Sequence, residues 1–441
     1  MIGIRKRDVT MKRYIIGIFV VLAGAVFFLC RGMTPPAQAQ STVVLQYWTF
    51  DEIYKKNMEE CVRIYNAGNA PDERDIVLET SVLSMDELDY KLWTTLQAGI
   101  GAPDLVDLEY AQFGRYINPK NNYLAPLNTI VDQKKELVVA DSYDKYRGAG
   151  FYYGIDYYAG CCVAFYNQAL LDKAGVDAGQ IRTWEDFEAA ADALKRACSV
   201  PMLAVDYTND FTYEAMLGMF GGEYEDLDSE TNIAVLDELA RMVRVDETAV
   251  CVPSGDFFSY DFFNFFSSEK AAAVFMPFWY LGFIQEHMPS LEGKLVAMPL
   301  PQARAEAGPY LRSGGVATAI TVQCQDPIIA KNLLRDTRFN EEGAWRQLEM
   351  LCADPISLAA WENLGQQPRF SFLRNDPTDL LQDSLRLAPT PHYGEGYFDC
   401  AQQLSGETLF CVLKENSMEA DQALHKAAQT LSVENDPFSG S

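Results

Sequence analysis

From Thr42 onward, short runs of β-branched and aromatic residues alternate with longer segments in which apolar side chains recur every three or four positions. The first run, residues 42–50 (TVVLQYWTF), predicts a strand of a buried sheet. Behind it, Tyr54, Met58, Cys61, Val62 and Tyr65 fall at i, i+4, i+7, i+8 and i+11, one apolar stripe of a helix that stops at Asn66-Ala67-Gly68-Asn69-Ala70-Pro71. A strand over 76–83, a helix over 85–98, a break at 99–104 and a strand over 105–108 ending at Glu109-Tyr110 follow. Strand and helix alternating at this spacing imply a mainly parallel sheet covered on both faces.

The pattern restarts after an aromatic turn at 151–158. Residues 161–166 predict a strand, residues 168–174 a helix closed by Gly175, and Thr183 an N-cap with Asp186 at the third helical position. Trp184, Phe187, Ala191 and Leu194 lie on one face of that second helix. Residues 256–266 (DFFSYDFFNFF) have a mixed period and predict a helix whose rings pack into the second half of the molecule.

Composition narrows the class. A chain of 441 residues is long enough for two domains, and 49% hydrophobic residues mark it as folded. The formal charge of -26 argues against nucleic acid or an anionic membrane surface as a partner. At the N-terminus a basic segment, an apolar run over 15–29 and a small-x-small site at Pro35-Pro36-Ala37-Gln38-Ala39 stand in the order of a secretory signal peptide, cut after Ala39. Lipidation at Cys30 and an uncleaved anchor are the alternatives, and Met11 is a second candidate start. Ten cysteines without a Cys-x-x-Cys pair, beside three histidines, indicate no zinc site and no regular disulfide framework. Cys61 and Cys198 are expected as small core residues, and Cys400 with Cys411 as the one candidate disulfide.

In an open α/β sheet, ligands sit beyond the carboxyl ends of the strands. That rule selects Trp48, Thr49 and Phe50, then Glu109, Tyr110 and Gln112, then Asp156, Tyr157 and Tyr158, then Phe278, Trp279 and Tyr280. Trp48 and Tyr47 must point to opposite faces, so one of them is free to face a ligand. The catalytic signatures Gly-x-Ser-x-Gly, His-Glu-x-x-His and Gly-x-x-x-x-Gly-Lys-(Ser/Thr) are absent, and His287, His392 and His425 are the only histidines.

One stretch carries a resemblance. Tyr153-Gly154, Phe165-Tyr166-Asn167, Lys173-Ala174-Gly175 and Thr183-Trp184-Glu185-Asp186-Phe187 follow one another as in ABC-transporter solute-binding proteins of the carbohydrate class, family 1, which are maltose-binding-protein-like. Gly101-Ala102-Pro103-Asp104, Leu124-Ala125-Pro126-Leu127, residues 266–277 and 295–301, the pair Gly314-Gly315 and a closing helix over 417–431 extend the likeness across most of 42–431. The resemblance implies a two-lobed α/β fold of the type II periplasmic-binding-protein kind, crossed three times by the chain, near 153–158, 313–318 and 354–361. Lobe 1 would take 40–155 and 317–356, lobe 2 156–316 and 357–432, with a leader over 1–39 and a flexible tail over 433–441.

What the resemblance implies functionally is an exported, monomeric carrier, periplasmic or extracellular, with tethering to the membrane by the N-terminal apolar segment as the alternative to release, that binds a mono- or oligosaccharide between lobes and delivers it to an ABC permease. Sugars offer apolar C–H faces to aromatic rings and paired hydroxyls to carboxylates. The expected ligand-binding set is Trp48, Phe50, Glu109, Tyr110, Asp156, Tyr158, Trp279, Gly314, Gly315 and Trp361, with Arg369 a weaker candidate. No cofactor, metal or catalytic residue is expected. The alternatives are a non-sugar solute such as a polyamine or ferric ion, a glycan-binding surface protein, and a glycoside hydrolase working through two carboxylates. Residues 256–266 gain a second reading here, as a cleft wall or a contact with transporter subunits.

Overall fold

The computed structural model describes residues 42–434 apart from 69–73, 119–120, 225, 305–307, 340, 363–369 and 390–395. The expected leader, Arg369 and residues 435–441 of the expected tail lie outside the described residues. The chain runs β1 (Thr42–Thr49), α1 (Glu52–Gly68), β2 (Asp75–Val82), α2 (Met85–Ala98), β3 (Leu105–Glu109) and α3 (Tyr110–Tyr116). After a crossing come β4 (Cys162–Asn167), α4 (Gln168–Ala174), α5 (Trp184–Cys198), β5 (Leu203–Val205), α6 (Phe211–Phe220), α7 (Glu230–Arg244) and β6 (Ala249–Cys251). Then follow α8 (Tyr260–Ser267), β7 (Ala273–Pro277), α9 (Leu281–His287) and β8 (Leu295–Met298). The chain returns through β9 (Val316–Ile320), α10 (Pro327–Arg338) and α11 (Glu341–Leu351), and ends in α12 (Thr378–Leu387), α13 (Tyr397–Gln403) and α14 (Ala420–Glu434).

Two separate sheets organise these elements, ordered β9-β3-β1-β2 and β6-β5-β7-β4-β8. In the first, β1 is parallel to β2 and β3, and only β9 is reversed. In the second, β6, β5 and β7 are parallel, and β4 runs against both β7 and β8. The reversed strand in each sheet is the one entered directly from a crossing. The chain therefore leaves the gap between lobes on β4 and β9, and all other strands point their carboxyl ends towards it.

Side-chain alternation explains why each sheet is covered twice. In β1, Leu45 and Tyr47 face one core, while Trp48 turns to the other side beneath Leu88, Leu92 and Leu96 of α2. In β4, Val163 and Phe165 face one way and Cys162, Ala164 and Tyr166 the other, so all are buried. Local signals match this frame: Thr183 and Asp186 form the expected capping box of α5, and Gly175 ends α4 in the left-handed conformation. Within 256–266, Phe257, Phe262, Phe263 and Phe266 enter the core, whereas Phe258 and Tyr260 do not.

Three segments meet at the hinge. Asp156 bridges Ala317 and Cys161 bridges Arg312 in one continuous antiparallel register, with Tyr157 N donating to the Val316 carbonyl at 3.0 Å and Ser313 N to that of Gly160 at 2.9 Å. Asp354, from the third crossing, accepts Gly160 N at 3.1 Å and Cys161 N at 3.0 Å through its carboxylate, and Ala159 N at 2.9 Å through its carbonyl. Gly160 has φ +79°, and a Cβ there would stand 2.5 Å from the Ser313 carbonyl oxygen. Crossing strands packed this closely require glycine at that point.

The candidate disulfide is corrected. No disulfide joins any two of the described cysteines, and Cys400 and Cys411 form none with each other. These two lie eleven residues apart along one helical run through 397–415, a separation of roughly 15 Å, where a disulfide needs Cα atoms about 6 Å apart. No described helix is long and apolar enough to cross a membrane.

Candidate ligand-binding site

The strand ends of both lobes deliver side chains to the gap. From lobe 1 come Phe50 after β1, Tyr54 in the first turn of α1, and Glu109 at the end of β3. Tyr158 arrives on the first crossing. From lobe 2 come Asp210, Phe211 and Glu214, where α6 begins beyond β5, and Trp279 beyond β7. Phe50, Tyr54, Tyr158 and Trp279 belong to one apolar cluster with Val316 and Leu351. Phe50 meets Tyr54 edge-on at 5.4 Å, Tyr158 lies 6.4 Å from Trp279, and Phe211 meets Trp279 at 6.3 Å.

Both lobes bring acidic side chains to the gap. Burial, then the charge of Glu214, pushes the Glu109 carboxyl up to about 7. Burial and the charges of Glu214, Asp206 and Glu109 hold Asp210 well above the usual carboxylate range. Glu109 belongs to lobe 1 and the other three to lobe 2, so acids of the two lobes feel one another across the gap. Glu214 accepts the Ser313 hydroxyl at 2.6 Å and the Tyr397 hydroxyl, on α13, at 3.1 Å.

Asp210 stands in the N-cap position of α6 yet makes no capping bond. Asp206 has taken that role: it accepts Phe211 N at 3.0 Å and Thr212 N at 3.1 Å, and burial raises its own carboxyl to about 6. The Oδ2 of Asp210 is consequently buried without a hydrogen-bond partner. Such an acceptor suits a donor brought by a ligand. A cavity of about 370 Å³ adjoins the gap, lined by Phe211, Glu214, Tyr224, Arg312 and Ser313 among others.

Of the residues selected from sequence, the structure brings Phe50, Glu109, Tyr158 and Trp279 together, buries Tyr157 in the same cluster against Tyr54, and takes the following ones elsewhere. Trp48 is 7% exposed and packed under α2, with Lys91 Nζ 4.7 Å from its ring centre. Tyr110 is buried against Tyr146, and its amide donates to the Gly315 carbonyl. Asp156 is buried in an ion pair with Lys145 Nζ at 2.5 Å and accepts the Tyr146 hydroxyl. Gly314 accepts Lys145 through its carbonyl, and a Cβ on Gly315 would collide with that same Lys145. These residues build the hinge. Trp361 is buried too, its indole N–H donating to the Pro355 carbonyl at 2.7 Å.

Tyr54, Asp210, Phe211, Glu214 and Tyr397 were missed. The strand-end rule reaches Asp210 and Phe211 once β5 is recognised, but three residues in Leu203–Val205 carry almost no periodicity. Tyr397 is placed only by the packing of α13.

A family model described as bacterial extracellular solute-binding protein matches residues 49–334. The arabinooligosaccharide-binding protein of Bacillus subtilis (strain 168) is 29% identical over 398 residues, covering 88% of this chain and 91% of that protein. Among solved structures, the GacH receptor of Streptomyces glaucescens GLA.O is similar with a TM-score of 0.73 at 17% identity, over 88% of this chain and 97% of that one. The galacto-N-biose-/lacto-N-biose I-binding protein of the ABC transporter from Bifidobacterium longum is similar with a TM-score of 0.72 at 17% identity, over 89% and 96%. At such identities the likeness is one of fold. Two sheets with a single reversed strand each, a triple crossing, and a family match over well over half of the length agree: the chain belongs to the bacterial extracellular solute-binding proteins.

Proposed function

We propose that the chain captures an oligosaccharide in the interlobe gap and delivers it, chemically unchanged, to the permease of an ABC importer. The observation that carries this reading is the meeting of part-exposed rings (Phe50, Trp279, Phe211) with carboxylates (Glu109, Asp210, Glu214) supplied by both lobes. Rings take the C–H faces of a sugar, and carboxylates accept its hydroxyl protons. A ligand held from both sides favours the closed arrangement, because it gains its full contacts only there. The Bacillus subtilis relative's name supports arabino-oligosaccharides as the substrate class.

In this reading the protein works outside the cell membrane, as its family does, and as a monomer. The lobe boundaries are those set out from sequence: 40–155 with 317–356, and 156–316 with 357–432. A cationic solute such as a polyamine is the second reading, favoured by the carboxylates of the gap. A thermal-shift panel of arabino-, malto- and galacto-oligosaccharides, with polyamines, amino acids and ferric ion beside them, separates the two. Oligosaccharides should raise the melting temperature; a response to polyamines alone would overturn the sugar reading. Incubation with the bound sugar should release no new reducing ends.

A further inference from the structure

The ring contacts do not stop at the gap. Trp279 lies nearly parallel to Phe258 at 6.1 Å and meets Phe283 at 6.0 Å; Phe283 is 6.2 Å from His287, and His287 is 5.9 Å from Tyr260. Their origins in the fold give the strip a direction. Tyr158 precedes β4, Trp279 and α9 follow β7, and Phe258 and Tyr260 follow β6, the edge strand of the second sheet. The rings thus line the cleft-facing margin of lobe 2 from the hinge outward. Trp279, Phe258, Phe283 and His287 are half-buried, and Tyr260 is 76% exposed.

Phe258, Trp279 and Phe283 pack one side against the core and stay part-exposed on the other, while Tyr260 of the same segment stands in solvent. A contiguous strip of part-exposed aromatic rings marks a binding surface. Its flanks carry carboxylates: Asp256 accepts Phe258 N at 2.9 Å, Glu286 adjoins His287, and Asp51 of lobe 1 senses the charge of Glu286. Rings flanked by carboxylates match the C–H faces and hydroxyls of a sugar chain, and the strip is continuous with the gap.

We propose that this margin is an extended subsite holding the overhanging residues of a long oligosaccharide whose end lies in the gap, so that the protein selects ligands by chain length. The inference rests on the oligosaccharide reading above. Tyr260 is its most informative residue, since among the described residues its ring meets only the rings of Phe263 and His287 and its loss leaves the interior intact.

Calorimetric titration with a trimer and an octamer of the arabino- and malto-oligosaccharide series tests it. The octamer of the recognised series should bind the wild type more tightly than the trimer. Tyr260→Ala should weaken the octamer about fivefold, close to 1 kcal/mol, and leave the trimer unchanged, while Tyr260→Phe should keep the wild-type preference. A trimer that binds as tightly as the octamer, or a Tyr260→Ala loss equal for both, overturns the extended subsite and leaves the oligosaccharide reading standing. Unchanged affinities with reduced uptake in cells would assign the margin to the permease and overturn the subsite as well. If neither series binds and polyamines do, the oligosaccharide reading fails and takes the subsite with it.

Discussion

At the scale of single residues, Glu109 is the group whose chemistry differs most from its sequence appearance. It is a carboxylate at a strand end, yet burial and Glu214 push it to about 7. A carboxyl raised in the folded state above its unfolded value stabilises the fold fully below the unfolded pKa, near 4.5, and loses that contribution as pH rises through 7. Glu109→Gln should therefore change stability less at pH 5 than at pH 8, where it should raise it by up to about 3 kcal/mol, as read by denaturant unfolding. Equal shifts at both pH values would mean that Glu109 does not titrate in this window. Trp279 makes the complementary prediction for binding. Trp279→Ala should weaken the ligand about tenfold, near 1.4 kcal/mol, whereas Trp48→Ala should mainly destabilise, because Trp48 packs under α2.

At the scale of elements, one side chain ties the third crossing segment into the hinge. Asp354 holds the amides of Gly160 and Cys161 from a third segment, so Asp354→Ala leaves two buried donors unpaired. The expected cost is about 1–3 kcal/mol for each amide, measured by chemical denaturation, together with an altered ligand affinity because both lobes are tied there. Thr183→Ala is the matching control. It removes the capping box of α5 at a cost of about 1 kcal/mol, far along the chain from any gap residue, and ligand affinity should not move. An affinity change as large as that of Asp354→Ala would show that the effect is general instability rather than the hinge.

At the scale of the whole molecule, several buried acids titrate in the same direction. Asp206 reaches about 6, and burial raises Asp107, Asp210 and Asp354 as well. Each binds its proton more tightly in the folded state, so each withdraws stability as pH rises from about 4 upward. Acids held by cations behave oppositely: Arg63 lowers Glu60, and Lys173 with Lys294 lowers Glu269, so their contribution disappears in strong acid. The melting temperature should peak in mild acid, near pH 5–6 by the sign of these shifts, and fall towards pH 8, where the net charge of -26 adds self-repulsion. A maximum above pH 7.5 would contradict these burial assignments. Small-angle scattering should show a smaller radius of gyration on adding the bound oligosaccharide.

What the sequence determined by itself is what short-range patterning encodes. The apolar run of β1, the stripe of α1, the capping box of α5 and the glycine closing α4 each act within a few residues, and each forms as the pattern requires. The resemblance carried by Thr183 to Phe187 and the neighbouring motifs was enough to anticipate two lobes and three crossings. Tertiary structure decided which strand-end residues reach the gap. Trp48 and Phe50 are two positions apart, and only the cover provided by α2 sends one into the core. Asp156 and Glu109 look alike in sequence, but Lys145, brought beside Asp156 by the fold, neutralises one and leaves the other facing the second lobe. A site assembled from two lobes depends on contacts between residues far apart in the chain, and local pattern does not carry that information.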